Sequence, residues 1–160
     1  MRTVFIASFA ALALTSAAWA QSEHATEEGV FINKGQEKWG NAPPTMPKGA
    51  KFAVLNGDPG KPGPFTVRMS APAGYKIPPH WHSQSENLTV ITGSLYLGMG
   101  DKADGKGAHI LSASGFHYLP AKQHHYAYTK VPAVIQISGD GPFDINYVDA
   151  KDNPERVSMK

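Results

Sequence analysis

At 160 residues, the chain is long enough for one domain with a hydrophobic core and short for two. Its 41% hydrophobic and 18% charged residues exclude a disordered polymer. A formal net charge of +2, without clustered Lys or Arg, excludes the basic field of a nucleic-acid binder. The absence of cysteine excludes disulfides, thiolate ligands and a cysteine nucleophile, so nitrogen and oxygen must hold any metal.

Residues 1–20, MRTVFIASFAALALTSAAWA, carry one positive charge at Arg2, an apolar core over about 4–14, and Ala18-Trp19-Ala20 before Gln21. This is the three-part pattern of a secretory signal peptide, with cleavage expected after Ala20. The apolar core is shorter than the ~20 residues of a membrane span. Removing Arg2 leaves 14 basic residues from 15, against 13 acids, a net charge of +1. The expected compartment is the periplasm or the exterior, with no membrane attachment after cleavage. Residues 21–50 read as a polar N-terminal arm containing Pro43, Pro44 and Pro47, with one short strand expected at 29–32. His24, near the new terminus, reads as solvated.

Residues 51–56 and 65–71 alternate as strands, separated by a Gly- and Pro-rich loop over 57–64 that lacks phosphate-loop spacing. Residues 87–99 read as a hairpin turning at Gly93. The polar loop 100–107 contains Asp101 and Asp104, without the spacing of a calcium loop. Further strands are expected at 108–112, 116–119, 123–129, 133–138 and 143–148, before a polar tail over 149–160. No segment beyond the signal shows helical periodicity. About nine or ten short strands separated by turn residues predict an all-β sandwich or closed barrel.

The chemistry concentrates in residues 74–93, GYKIPPHWHSQSENLTVITG. Pro78 and Pro79 exclude a helix before His80, and the β-branched run after Leu88 is extended by propensity. On a strand without a bulge, His80, His82 and Glu86 share one face. Two imidazoles and a carboxylate aimed at one point suit a divalent transition metal. Taken alone, a His-x-His pair is more often found on a surface, and a glutamate more often solvated.

The whole spacing carries more weight. Gly74, His80, His82, Glu86 and Gly93 fall where the first signature motif of the cupin superfamily, G-x5-H-x-H-x3-E-x6-G, has its fixed residues. The chain resembles that family. Its second motif, G-x5-P-x-G-x2-H-x3-N, is met in part by residues 114–129. Pro120 is in place and His125 stands where the family has its third histidine. Ser114, Lys122 and Thr129 depart from the pattern. Adjacent strand residues face opposite ways, so either His124 or His125 joins the ligand face. The proline register selects His125, with Ala127 on its side and Tyr126 and Tyr128 facing away; a one-residue bulge would select His124.

The resemblance implies a single-domain cupin-type β-barrel, a jelly roll also described as a double-stranded β-helix, over residues 51–148. It implies a metal held by His80, His82, Glu86 and His125: iron, manganese, zinc, nickel or copper. His117 is a candidate general base or hydrogen-bond donor to a ligand; a hydrogen-bonded wall histidine is the commoner case. His109 reads as exposed. Chosen by parity, Leu88, Val90, Phe116, Tyr118 and Ile135 would line the interior, and such a lining suits an aromatic or enol-type substrate that chelates through oxygen. The expected partner is a small molecule, and the family also makes a homodimer an expectation. The activity expected is that of a metal-dependent enzyme, dioxygenase-like, with isomerase or lyase chemistry also within the family. A non-catalytic binding or sensing module is the alternative, because fold does not fix chemistry.

Overall fold

The computed structural model describes residues 29–157. The signal-peptide reading of residues 1–20, and that of His24, lie outside the described residues. The strands are β1 (Gly40–Asn41), β2 (Lys51–Asn56), β3 (Gly63–Ala71), β4 (Lys76–Trp81), β5 (Glu86–Thr92), β6 (Ser94–Met99), β7 (His109–Ser112), β8 (Phe116–Leu119), β9 (His125–Tyr128), β10 (Ala133–Gly141) and β11 (Asn146–Tyr147). A 3-10 turn at Ala150–Asp152 and a short helix, α1 (Pro154–Val157), follow.

One sheet has the order β1-β2-β3-β10-β5-β8 and the other β11-β4-β9-β6-β7. All pairings are antiparallel. From β3 onward, every connection except the β6–β7 hairpin hands the chain from one sheet to the other. The two sheets are thus wound together as a jelly roll, and the core lies between them. Gly93 makes one of these hand-overs at φ +75, where an added Cβ would lie 2.2 Å from the Pro132 carbonyl oxygen. Only glycine fits there.

Alternation puts the core on the inner faces. Phe65, Val67 and Met69 of β3, Ile135 and Ile137 of β10, and Leu88 and Val90 of β5 are buried on one sheet. The register sets Ile135 opposite both Met69 and Val90. From the other sheet, Ile77, Leu95, Leu97 and Ala127 complete the cluster. At roughly 1.5–3 kcal/mol for each large aliphatic or aromatic side chain, this burial is the main force holding the sheets face to face.

Several expectations fail in instructive ways. Residues 29–32 form no strand; β1 instead pairs Gly40 with Phe52 and Asn41 with Lys51. Phe116 and Tyr118 are 58% and 52% exposed, whereas Leu88, Val90 and Ile135 are buried as expected. On β8, His117 pairs with Leu88 and Leu119 with Glu86, so odd-numbered residues face inward and the two aromatics stand on the outer face of an edge strand. The expected strand at 143–148 shrinks to Asn146–Tyr147, because residues 142–145 cross between the sheets.

Candidate metal centre

The strand carrying His80 is not regular. Ile77 pairs with Ala127 and His80 with His125, so three steps on β4 match two on β9. The extra residue is a bulge at Pro78-Pro79, where neither proline has an N–H to give to a ladder. The bulge turns His80 to the same side as Ile77. β4 ends at Trp81, and Glu86 opens β5 in the opposite sheet. The continuous strand expected through 80, 82 and 86 is therefore corrected: the three converge because the chain crosses from sheet to sheet between them.

One ring nitrogen from each of His80, His82 and His125 lies within 4.8 Å of the other two. The His80 and His125 rings are 4.1 Å apart, centre to centre. Glu86 Oε2 stands 3.5 Å from His82 Nε2 and 3.9 Å from His125 Nε2. All four side chains are buried. His124, in contrast, faces outward, where its Nδ1 meets Asp101 Oδ1 at 2.5 Å and its ring stacks on Trp81. Tyr126 also lies outside the barrel core, against Gly98, where a Cβ would come within 2.1 Å of its ring.

The backbone fixes the state of each imidazole. Nδ1 of His80 donates to the Pro78 carbonyl at 2.7 Å, that of His82 to Asp144 at 2.5 Å, and that of His125 to Gln123 at 3.0 Å. A carbonyl only accepts, so the proton sits on Nδ1, and whenever the ring is neutral its lone pair is on Nε2. Burial holds the His80 imidazolium far below the ordinary histidine range, and the neighbouring His125 and His82 add to this. Burial also brings His125 down to about 4. The same desolvation pushes the Glu86 carboxyl above its usual range. Three imidazoles and a carboxyl group thus face one small volume. That donor set fits a divalent transition ion held by nitrogen and oxygen, and does not by itself choose which one.

These four side chains lie at the wall of a cavity of about 410 Å³ between the sheets. Phe65, Val67, Met69, Leu88, Leu97 and Ile137 form much of its apolar lining. Pro43, Thr45 and Met46 of the arm line it too. The arm is fastened by Tyr147 Oη donating to Thr45 O and Tyr75 Oη donating to Pro47 O, each at 2.8 Å, and by the Arg68–Glu37 ion pair at 2.5 Å.

Sequence reasoning missed Asp144 and Phe143. The Asp144 carbonyl holds His82, while its carboxylate accepts from Ser83 N, Ser83 Oγ and Asn146 Nδ2 at 2.6–2.7 Å. The Phe143 ring stacks on His82 at 4.3 Å. Asp144 follows His82 by 62 residues, with no motif to tie them. His117 faces inward in register but is not among the cavity-lining residues, and its buried Nε2 has no hydrogen-bond partner. His109 is exposed, as expected.

The second motif joins the first through its turn. Lys122 N donates to His82 O at 2.8 Å. Lys122 and Ser114, which stand where the related pattern has glycine, adopt φ of +64 and +70. The backbone keeps the shape glycine would take freely, although the side chains differ.

No protein-family model matches the sequence, and no curated protein matches it. Solved structures do. The polyketide cyclase RemF from Streptomyces resistomycificus superposes with a TM-score of 0.66 at 14% identity, over 83% of this chain and 94% of that one. A candidate acetylacetone dioxygenase from Methylibium petroleiphilum gives 0.59 at 19% identity, over 79% and 85%. An RmlC-like cupin from Shewanella frigidimarina gives 0.54 at 16%, over 71% and 91%. At such identities the likeness concerns the fold. Two antiparallel sheets wound together by a chain that changes sheet at almost every turn, shared with these neighbours, give this protein the fold of the cupin superfamily.

Proposed function

We propose that this protein is an exported, metal-dependent enzyme that carries out oxygen-dependent cleavage of a small organic substrate. The observation that carries the reading is the set of three Nδ1–carbonyl hydrogen bonds. They leave three buried imidazole lone pairs and the Glu86 carboxylate directed at common space. His80, His82, His125 and Glu86 would hold the ion. When bound, iron, manganese, nickel, copper or zinc supplies Lewis acidity, and a redox-active member of that series also supplies electrons to dioxygen. The chain's own residues do the rest. The apolar walls exclude water from the reacting end, and the Asp144 carbonyl sets the orientation of His82. Small-molecule enzymes appear among the structural neighbours, including a polyketide cyclase and a candidate acetylacetone dioxygenase, which supports a small organic substrate.

The test is to load the purified protein with each metal and follow oxygen uptake over catechols, flavonols and β-diketones. Uptake with at least one metal and one substrate class is expected; none with any combination overturns the enzymatic reading. Export is tested by the N-terminus of the protein recovered outside the cytoplasm. Gln21 is expected there, and an intact chain retained in the cytoplasm contradicts it.

One observation favours a second reading, a binding or sensing module without chemistry. Apart from the ligand set, the titratable side chain lining the cavity is Asp144, whose carboxylate is already engaged by Ser83 and Asn146. Among the described residues lining the cavity, no free acid or base is left for proton transfer. Native mass spectrometry showing an intact co-purified ligand would support this alternative.

A further inference from the structure

The cavity wall restricts what can enter more tightly than the ligand set does. On the two facing sheets its surface is built from Phe65, Val67, Met69, Leu95, Leu97 and Ile137. No Lys or Arg is among the described residues that line it. Arg68 sits on β3 beside this wall but on its outer side, paired with Glu37 and hydrogen-bonded to Gln136. The polar lining outside the ligand set consists of Thr45 and Asp144. Thr45 brings one side-chain hydroxyl, its carbonyl accepting from Tyr147, and Asp144 has its carbonyl and both carboxylate oxygens engaged. A hydroxyl, carboxylate or phosphate placed against this wall loses its water and gains little in exchange.

Charge sets a second limit. A divalent ion held by three neutral imidazoles and one carboxylate keeps a single positive charge. A singly anionic chelating head neutralises it, while a second anionic group finds no counter-charge in the wall. Phe143, stacked on His82 at 4.3 Å and tilted against Phe65 at 5.1 Å, adds a flat apolar surface beside the ligand set. A volume of about 410 Å³ suits a molecule of small-ligand size.

We infer that the molecule this cavity takes has one oxygen-bearing, singly anionic chelating head and an uncharged apolar body, as in a phenyl-substituted β-diketone. Sugars, dicarboxylates and phosphate esters are excluded by the wall. This rests on the metal reading for the head, and on the wall alone for the body.

The test uses the full mature chain loaded with zinc, which binds the head without redox turnover. Calorimetry compares 1-phenylbutane-1,3-dione with the same molecule carrying a para-carboxylate. Binding of the first, at least about thirtyfold tighter than the second, is expected; equal or tighter binding of the carboxylate overturns the inference. Zinc stoichiometry is measured separately, so failure of the metal reading shows as absent zinc uptake. In that event the wall is read in the metal-free protein by displacement of the uncharged dye N-phenyl-1-naphthylamine. Displacement by toluene but not by benzoate upholds the apolar body. Displacement by benzoate as good as that by toluene, or no dye binding at all, overturns it.

Discussion

His82 Nδ1 donates to the main-chain carbonyl of Asp144 at 2.5 Å, across 62 residues of sequence. That carbonyl is held in place because the Asp144 carboxylate accepts from Ser83, next to His82, and from Asn146. The loop entering β11 and the loop leaving β4 are thereby locked to each other around one imidazole.

Asp144→Ala removes the lock and leaves the carbonyl. Partners that orient a ligating histidine are worth about ten- to a hundredfold in metal affinity. A zinc affinity lowered about tenfold is expected, measured by competition with a chelator. Asp101→Ala, which releases the outward-facing His124, should leave that affinity unchanged.

The two adjacent histidines should behave oppositely. His125→Ala removes one of the three clustered, buried imidazoles, so zinc affinity should fall at least about a hundredfold. His124→Ala should retain the wild-type metal content. The measurement is elemental analysis of both variants after identical loading.

Much of this centre is legible in the sequence. The spacing of His80, His82 and Glu86, and the five-residue step from Pro120 to His125, name the residues that converge. The physical route is less visible. Strand alternation suggests a single face, whereas a proline bulge and a change of sheet bring the side chains together. Parity misplaces Phe116 and Tyr118 because a four-residue edge strand gives hydrophobicity little authority over facing. Asp144 is silent because it meets His82 through a carbonyl, which every residue carries, and Ser83 across 61 residues that no motif ties together.

The metal-free protein should lose stability in mild acid. His80 and His125 have folded-state pKa values below the unfolded 6.5, with His125 at about 4. Between those values the unfolded chain binds more protons, so stability falls as pH drops from about 6.5 toward 4. Glu86 acts in the opposite sense, since its raised pKa favours the folded state in acid, and offsets part of the loss. A net loss of stability across this range is expected from urea unfolding in the presence of chelator. His125→Gln should flatten the profile.

Ser114 and Lys122 hold left-handed backbone at φ +70 and +64. Replacing either with glycine removes that strain, against the greater freedom glycine gives the unfolded chain. Lys122→Gly should stabilise by roughly 0.5–1 kcal/mol in urea unfolding, with metal content unaltered. Lys122→Val should destabilise.

Core and surface substitutions should separate cleanly. Leu97 is 1% exposed at the floor of the cavity wall, and Leu97→Ala should cost about 2–5 kcal/mol. Phe116→Ser, on the outer face of β8, should cost less than about 1 kcal/mol. Thermal and urea unfolding of the two variants side by side check the assignment of faces.

Metal stoichiometry of the wild-type chain tests the central claim most directly. Purified, stripped and reloaded at neutral pH, it should take up about one divalent transition ion per chain, and the His80→Ala/His82→Ala double variant should take up none while remaining folded. A wild-type chain that retains no ion after loading, or a double variant that binds as well as wild type, would contradict the account.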